Sequence, residues 1–348
     1  MRTMYWLVSF LAVTICCEAA GAAEHQCADL RPERFGAYQF QWENDSFDPD
    51  LESDRDYTNG LRLSYVRNPC FREPGRWAKR LARLWCRSGL CGSETPILDS
   101  GYAVGQAIYT PTGLRNPRFQ PFDRPYAGHL FVSWLVQATT ADSEQVERVQ
   151  TTIDLQLGWL GPHSYAEDVQ NGWHRLLKVG EAKGWANQLE DEPTFNLNVL
   201  WRRKLGNEYI DFLPHWGFGI GTVATQANLG ATARLGTDLS RMPQFGLPQL
   251  RRNEKKEWSV LGFVSIDGRY VAHDIFLDGG VFKKRDNFRI DIEDFRYEIK
   301  AGLALRWKGL TFHYTWTHRS EEFSSILVGR GGDQDFRSFA ITHHLTLP

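Results

Sequence analysis

The sequence predicts an all-β protein: a twelve-stranded antiparallel transmembrane β-barrel with a short helix in an extracellular loop. Apolar and polar residues alternate with a period of two in many segments, which is the spacing that a β-strand imposes. The apolar faces of these segments end in Trp or Tyr, as in the aromatic girdles of outer-membrane barrels. The segments number twelve, and an even number lets an antiparallel sheet close without exposed edges.

The alternation separates an apolar face from a polar face in each segment. The clearest case sets Leu310, Phe312, Tyr314 and Trp316 against Thr311, His313, Thr315 and Thr317. In a membrane barrel the apolar face meets lipid, and the polar face lines a wet or internally hydrogen-bonded lumen. The predicted strands are residues 36–44, 57–67, 100–110, 128–140, 147–160, 194–205, 208–222, 226–236, 257–277, 293–307, 309–320 and 335–347.

A soluble secreted β-sandwich is the alternative fold, because its strands also alternate between apolar and polar residues. The aromatic ends of the apolar faces favour the barrel. Membrane fractionation and heat-modifiable gel mobility separate the two folds, since a folded barrel resists detergent until it is heated.

The N-terminus has the pattern of a secretory signal peptide. Arg2 precedes an apolar run over residues 4–17, and small residues at positions 19–23 precede Glu24. The apolar run is shorter than the roughly 20 residues of a membrane-spanning helix. We therefore expect residues 1–23 to be a signal peptide and residues 24–348 to form one outer-membrane barrel domain, since no linker or fixed-period repeat divides them.

The charge balance excludes a polycationic surface for nucleic acid. The chain carries 40 basic and 42 acidic side chains, for a formal net charge of −2, and the basic residues are scattered. Nucleic-acid binding is therefore not expected. We expect a monomer whose partner is the outer membrane.

Four cysteines remain after the predicted cleavage, namely Cys27, Cys70, Cys86 and Cys91. An even number of cysteines in an exported protein indicates disulfide bonds, and four cysteines allow three pairings. Zinc binding is the weaker interpretation, because the last three cysteines flank or lie in a Trp- and Arg-rich insertion without His partners.

Polar residues interrupt the first two predicted strands near one rim of the barrel. Glu43-Asn44-Asp45 follows the first alternating segment, and Asp56-Tyr57-Thr58-Asn59-Gly60 opens the second. Carboxylate, amide and hydroxyl groups at adjacent strand ends can bind a metal ion or an oxyanion. Each residue alone is also compatible with a turn, and Asn59-Gly60 is a common hairpin dipeptide.

A short amphipathic helix is predicted between the fifth and sixth strands. Ser164 and Glu167 have the spacing of a capping box. An apolar stripe follows at helical spacing, formed by Val169, Trp173, Leu176 and Leu177. Gln170 and His174 are four residues apart, so they lie on one face of this helix and can point toward the strand rim.

Five motifs occur in the order strand, strand, loop, helix and loop. They are Glu43-Asn44-Asp45, Tyr57-Thr58-Asn59-Gly60, Asp123-Arg124-Pro125-Tyr126-Ala127-Gly128, Gly161-Pro162-His163-Ser164 with Gln170 and His174, and Gly184-Trp185-Ala186-Asn187-Gln188-Leu189. In this combination the chain resembles the lipid A 3′-O-deacylase (LpxR) family over nearly its whole mature length. The resemblance implies an outer-membrane barrel that uses Ca²⁺ to hydrolyse the ester of the 3′ acyloxyacyl group of lipid A, the membrane anchor of lipopolysaccharide.

The resemblance also implies site residues. The positions that match are Asn44 and Asp45 in the first strand, Thr58 in the second, and Gln170 and His174 in the helix. Ester hydrolysis needs a base near neutral pH and positive charge where the oxyanion develops. His174 is the expected base toward water, Asn44 and Asp45 are expected Ca²⁺ ligands, and Thr58 is expected to orient water or substrate.

Arg115 and Arg118 follow the turn at residues 109–113, where the resemblance places basic residues near the phosphates of lipid A. Arginine binds phosphate with two parallel hydrogen bonds, although solvated loop charge would give the same pattern. The chain departs from the family in having Tyr165-Ala166 where a Gly commonly follows the Ser. It also carries a long, Cys-bearing insertion over about residues 70–101.

Three alternatives remain open at this point. An acyl-enzyme route would use Thr58 or Ser64 as the nucleophile, although the chain lacks a G-x-S-x-G elbow. A barrel phospholipase acting on glycerophospholipids would need the same base. A non-catalytic barrel, either a pore or a structural protein, would have polar residues in its lumen that take no part in catalysis.

Overall fold

The computed structural model describes residues 35–45, 56–67, 97–142, 146–243, 258–283, 287–325, 329–330 and 332–346. The predicted signal peptide and the four cysteines of the mature chain lie outside the described residues. Among the described residues, no helix is long and apolar enough to cross a membrane.

Twelve long antiparallel strands form one closed barrel. They are β1 (Phe35–Asn44), β2 (Asp56–Arg67), β3 (Ile97–Thr110), β4 (Ala127–Ala141), β5 (Glu147–Leu160), β6 (Glu192–Arg203), β7 (Ile210–Gly221), β8 (Ala224–Gly236), β9 (Trp258–Asp274), β10 (Phe295–Trp307), β11 (Leu310–Arg319) and β12 (Gln334–Thr346). Each strand pairs with its neighbours in sequence, and β1 pairs with β12 to close the ring. The predicted strands match these twelve, with ends that differ by at most three residues.

Four shorter strands complete the sheet structure. Leu205–Gly206 pairs with the start of β7. Asp291–Ile292, Phe323–Ser325 and Gly329–Arg330 form a separate three-stranded sheet. This small sheet lies in the loops at one end of the barrel, which we call the outer rim. The outer rim is the end at which β1 finishes and β2 begins.

The two faces of the wall follow the alternation in the sequence. On β1 and β2, Tyr38, Phe40 and Leu63 are exposed, whereas Gln39 and Ser64 are buried. Gln39 and Ser64 are directly paired in the sheet, and so are Phe40 and Leu63. The exposed apolar side chains therefore form a belt on the outside of the wall, and the polar side chains fill the inside.

Apolar and charged side chains close the lumen near the outer rim. The short helix α2 (Ile275–Asp278) follows β9, and Ile275 is fully buried. Phe276 of this helix stacks on Tyr109, with 4.1 Å between the ring centroids. Arg124 is also buried, and its Nη1 donates to Asp56 Oδ1 at 3.2 Å and to Glu322 Oε2 at 3.2 Å. These contacts fix the loops across the mouth of the barrel.

The opposite end of the lumen is filled by the segment that follows β8. Leu239 and Met242 of this segment are buried. The Met242 backbone N–H donates to Glu147 Oε2 at 2.7 Å, and Arg234 Nη2 donates to Asp211 Oδ2 at 2.6 Å. The described residues therefore occupy the lumen at both ends.

The predicted helix is present between β5 and β6. Helix α1 (Ala166–Leu177) follows a 3₁₀ turn (Pro162–Ser164) and packs against β3 and β4. The predicted capping box is wrong. The residue that caps the helix is Tyr165, without a side-chain hydrogen bond, and Ser164 Oγ donates instead to Gly161 O at 2.6 Å.

Candidate active site

A row of paired residues crosses the outside of the wall near the outer rim. Asn44 of β1 pairs with Asn59 of β2, Asn59 pairs with Ile108 of β3, and Ile108 pairs with Gly128 of β4. Asn44 has the same parity as Tyr38, so this row belongs to the outward face. All four residues are nevertheless buried. Something other than the wall must therefore cover them.

Helix α1 provides the cover, and Gly128 allows its close approach. A Cβ atom at Gly128 would lie 2.2 Å from Ala166 Cβ and 2.2 Å from Ser164 Oγ. Gln106 Nε2 donates to Ser164 O at 2.6 Å. The start of α1 therefore rests directly on β3 and β4.

The other end of α1 reaches β1. Trp173 packs edge-on against Trp42 of β1, with 5.3 Å between the ring centroids. A helix rises 1.5 Å per residue, so Ala166 and His174 are about 12 Å apart along the axis. Strands are spaced about 4.8 Å apart, so this length spans roughly the distance from β3 and β4 to β1. The last turn of α1, which carries His174, therefore lies toward β1, the strand that carries Asn44.

His174 is buried and held in one tautomer. Its Nδ1 lies 2.8 Å from Gly180 O. A carbonyl oxygen only accepts hydrogen bonds, so Nδ1 carries the proton in the neutral ring. Nε2 is then the nitrogen with the lone pair, as a general base requires.

The segment that holds His174 is itself fixed to the helix. Asn171 Nδ2 donates to Ala182 O at 3.2 Å, and the Ala182 N–H donates to Asn171 Oδ1 at 2.9 Å. The Lys183 N–H donates to Leu114 O at 2.9 Å. This loop is therefore tied to α1 on one side and to the loop after β3 on the other.

The predicted substrate-binding arginines have different surroundings. Arg115 lies beside the loop that holds His174, because a Cβ atom at Gly180 would be 2.9 Å from Arg115 Nε. Its side chain is exposed. Arg118 is exposed in the same loop, and its backbone N–H donates to Asn116 Oδ1 at 3.1 Å. Arg115 thus lies beside the loop that holds His174, whereas the contact described for Arg118 is within its own loop.

Gln170 is oriented by Trp185, a residue that belongs to the fifth motif and for which the sequence indicated no role. Trp185 Nε1 donates to a Gln170 side-chain atom at 3.0 Å. An indole N–H can only donate, so the accepting atom is Oε1 and the amide nitrogen points the other way. Both side chains are buried, and Gln170 Nε2 has no hydrogen-bond partner among the described residues. This amide is therefore a donor available to a bound ligand.

The Trp185 ring is packed by Tyr126, with 4.9 Å between the ring centroids. Tyr126 Oη donates to Leu114 O at 2.9 Å. Burial raises the pKa of the Tyr126 phenol to about 12. The phenol thus stays protonated at neutral pH and keeps its hydrogen bond. The Tyr126–Trp185–Gln170 chain links the loop before β4 to the helix.

The oxygen groups of β1 and β2 lie together at a local irregularity of the sheet. The Asp45 N–H donates to Thr58 O at 3.5 Å. Thr58 is the extra residue between the pairs Tyr57–Tyr109 and Asn59–Ile108, so it forms a β-bulge. Bulges redirect side chains and are frequent beside active sites. Thr58 Oγ1 lies 2.6 Å from Thr110 Oγ1, which places two hydroxyl groups here.

Asn59 is a candidate site residue that the sequence did not identify as functional. It is buried, and its Oδ1 has no hydrogen-bond partner among the described residues. It pairs directly with Asn44 on the outward face, where Cβ atoms of paired residues are about 4.5–5.5 Å apart. The Asn-Gly dipeptide is typical of turns, so the sequence alone indicated a hairpin at this position.

The donor set suits Ca²⁺ in type. Calcium takes oxygen ligands from carboxylates, amides, carbonyls and water, and the buried Asp45, Asn44 and Asn59 side chains supply the first two kinds. Among the residues that the structure describes, no group of three or more His, Cys, Asp or Glu could hold a metal ion. A calcium ion at Asp45 would thus complete its shell with neutral oxygens, water or substrate.

Two other sequence interpretations can be compared with the structure. Ser64 has inward parity and is buried opposite Gln39, so the wall separates it from α1 and it cannot act as a nucleophile toward a substrate at this site. The predicted apolar stripe of α1 is only partly packed. Trp173 and Val169 contact the wall and its core cluster, whereas Leu176 and Leu177 are exposed.

Comparisons with known proteins agree with this architecture. The family model described as outer membrane protein LpxR matches residues 7–335. Among solved structures, LpxR from Salmonella typhimurium has 19% sequence identity and a TM-score of 0.68, and the match covers 88% of this chain and 99% of that chain.

Autotransporter barrels match more weakly. The beta domain of the Bordetella autotransporter BrkA has 9% identity and a TM-score of 0.41, covering 89% of this chain and 98% of that one. The translocator domain of NalP from Neisseria meningitidis has 7% identity and a TM-score of 0.39, covering 93% and 96%. A search of curated proteins found no match. The predicted family and location are confirmed: the chain belongs to the LpxR family and is an outer-membrane β-barrel protein.

Proposed function

We propose that this protein is a Ca²⁺-dependent esterase of the outer membrane that removes the 3′-linked acyloxyacyl group from lipid A. One observation carries the proposal. A buried imidazole with a fixed tautomer lies in the last turn of a helix that covers a buried row of wall residues, including Asn44 and Asn59, on the outside of the wall. That face of a barrel meets lipid, so the site adjoins the membrane that contains the ester.

The reaction is direct attack by water. His174 Nε2 takes a proton from a water molecule as the oxygen attacks the ester carbonyl carbon. The bond between that carbon and the sugar 3′ oxygen then breaks, and the proton passes to the sugar oxygen. The products are the free acyloxyacyl carboxylic acid, with its secondary ester intact, and a lipid A with a 3′-hydroxyl group. General-base catalysis of this kind contributes about 10²- to 10⁴-fold.

The remaining site residues position the reactants. Gln170 Nε2 is a buried donor, and it donates to the oxygen that becomes negative in the transition state. Thr58, beside the Thr110 hydroxyl, orients water or substrate. Asn44 and Asp45 would hold Ca²⁺, with Asn59 beside Asn44 on the outward face. When bound, the ion polarises the ester carbonyl as a Lewis acid.

Arg115 is the substrate-binding residue that the geometry supports best. Its guanidinium group lies against Gly180, whose carbonyl oxygen holds His174. A phosphate bound there would fix the sugar close to the base. Arg118, which is exposed in the same loop, provides additional positive charge for the same head group.

The alternatives are less well supported. Buried side chains occupy both ends of the lumen in the part of the chain that the structure describes, which disfavours a pore. A phospholipase acting on glycerophospholipids would use the same base and differ in head-group contacts. Product analysis therefore separates the two enzymes.

Mass spectrometry of lipids from cells that express the protein tests the substrate. The proposal predicts that lipid A loses the mass of its 3′ acyloxyacyl group in the presence of Ca²⁺, and keeps it when a chelator is added to isolated membranes. When Ca²⁺ is added back, lipid A should again lose the mass of this group. An unchanged lipid A together with release of lysophospholipids would refute the proposal in favour of the phospholipase.

A further inference from the structure

One edge of α1 is apolar and exposed, outside the barrel and next to the site. Leu176 is 70% exposed, Leu177 is 52% exposed and Val179 is 50% exposed. In water such a surface would be unfavourable, since burying a leucine side chain is favourable. Exposed apolar clusters of this kind mark contacts with a partner or a membrane.

The direction of this edge follows from the contacts of its neighbours. Trp173 contacts Trp42 of β1. Trp42 and Asn44 are consecutive outward-facing residues of this strand, and Trp42 is the one farther from the outer rim. Asn171 and His174 contact Ala182 and Gly180 in the loop on the other side of the helix. Leu176 and Leu177 lie three and four residues after Trp173, so they share its side of the helix. The exposed edge thus points away from the loop and toward the middle of the wall.

The wall below this edge is the lipid-facing belt. Phe40 and Leu63 form the next outward pair after Trp42 and Leu61, and both are exposed. The apolar edge of α1 therefore continues the belt. Two exposed cations, Arg175 and Lys178, lie on the other side of the helix, toward the loop, where Arg175 pairs with Glu181 at 2.9 Å. Apolar residues flanked by basic ones are typical of a helix that lies in a membrane interface.

We propose that Leu176, Leu177 and Val179 insert among the acyl chains of the outer leaflet and hold α1 at the membrane surface. The basic residues Arg175 and Lys178 then face the anionic head groups. This contact fixes the helix that carries His174 relative to the lipids. Its consequence for catalysis rests on the proposed function: the acyl chains of the substrate enter the site along this edge.

Fluorescence quenching in proteoliposomes tests the contact without any enzyme activity. An environment-sensitive label is attached to Leu176→Cys, and for comparison to Glu167→Cys, an exposed position at the other end of α1. The protein without either substitution, treated with the same label, gives the background fluorescence. The proposal predicts that lipids with brominated acyl chains quench the label at position 176 several-fold more than the label at position 167. Equal quenching at the two positions would overturn it.

Kinetics with two substrates then test the link to catalysis. The double variant Leu176→Asn/Leu177→Asn should raise KM for lipid A in membranes about tenfold, because acyl-chain contacts are lost. Its kcat, and its rate with a short water-soluble ester, should stay unchanged. An unchanged KM would refute the role in substrate entry. If neither substrate is hydrolysed by the wild-type protein, the proposed function fails, while the quenching result still decides the membrane contact.

Discussion

Two buried polar atoms in the candidate active site have no hydrogen-bond partner in the part of the chain that the structure describes. They are Gln170 Nε2 and Asn59 Oδ1. Leaving a buried polar group without a partner costs about 1–3 kcal/mol. Such a cost is most easily understood at a site where a ligand supplies the missing partners. His174, with Nδ1 held by Gly180 O, lies on the same side of the wall.

The sequence identified some of these residues and missed others for a physical reason. Asn44, Asp45, Thr58, Gln170 and His174 follow from motifs, and their burial near the covered row is consistent with a site. Their catalytic and metal-binding roles stay predictions. The role of Trp185 depends on a contact with Gln170 across fifteen residues. Neither this contact nor the burial of Asn59 produces a local pattern in the sequence.

Replacing Trp185 by Phe tests the orientation of Gln170. Trp185→Phe keeps an aromatic ring but removes the N–H that bonds Gln170 Oε1. The amide is then free to rotate, and we expect kcat to fall about tenfold, the equivalent of about 1.4 kcal/mol of transition-state stabilisation. The measurement is the rate of acyl release by purified protein in detergent.

The matched control is Trp258→Phe, at an exposed tryptophan on β9. It should keep the wild-type rate. An unaltered rate for Trp185→Phe would show that Gln170 is held by other contacts or has no part in the reaction.

Helix α1 shows how an element can be predicted correctly while its packing is not. The helix and its register followed from the spacing of apolar residues. The capping box failed because Tyr165 takes a left-handed conformation, with φ of 58°, and turns the chain before the helix begins. This is the region of φ that favours glycine. The spacing predicted the apolar stripe but not which of its residues would be packed, and Leu176 and Leu177 are exposed.

A side chain at Gly128 should separate α1 from the wall. In Gly128→Val, the Cβ atom alone would overlap Ala166 and Ser164. The helix cannot stay in place, so we expect acyl release to fall by at least about a hundredfold, the contribution of one general base. The barrel itself should remain folded, because the substitution lies on its outer surface. Activity assays with heat-modifiable gel mobility check both statements.

Gly268→Val is the comparison for this variant. Gly268 lies on β9, where a Cβ atom would meet only Leu229 O at 3.8 Å. It should leave both activity and mobility unchanged. Full activity in Gly128→Val would contradict the docking of α1 as the element that carries the base.

The whole barrel was the most predictable part of the molecule. All twelve strands follow from alternation, because each strand is exposed to lipid on one side and to a polar interior on the other. The filling of the lumen could not be predicted in this way. It depends on charged groups from distant loops, such as Arg124 and Glu322, which are 198 residues apart. The signal peptide and the disulfides stay predictions, since their residues lie outside those described.

The charged cluster at the outer rim predicts a pH dependence of stability. Burial alone would raise the pKa of Glu322, but the guanidinium groups of Arg319, Arg124 and Arg296 lower it below the ordinary value of 4.5. A carboxyl with a depressed pKa stabilises the fold above its unfolded pKa, and this contribution is lost as the pH falls through the folded pKa. The temperature of heat modification should therefore drop below about pH 4.

Replacing the carboxyl should remove this dependence. Glu322→Gln removes one of the two carboxylates that each guanidinium faces, since Asp56, Asp274 and Glu298 still pair with Arg124, Arg296 and Arg319. We therefore expect a loss of about 1–3 kcal/mol at neutral pH. The variant should also show a smaller further change below about pH 4. Glu190→Gln, at an exposed ion pair with Lys283, should change stability by less than about 1 kcal/mol. Equal effects of the two variants at neutral pH would contradict the contribution of the cluster.

In the proposed reaction, the imidazole of His174 activates water for attack on a membrane-embedded ester. The most direct measurement is the rate at which purified wild-type, His174→Ala and His343→Ala proteins release the 3′ acyloxyacyl group from lipid A with Ca²⁺. His343 is exposed on β12, paired with Tyr38 away from the outer rim. We predict that His174→Ala lowers kcat about 10²- to 10⁴-fold, while His343→Ala stays at the wild-type rate. A folded His174→Ala protein that releases the acyl group as fast as the wild type would contradict the account.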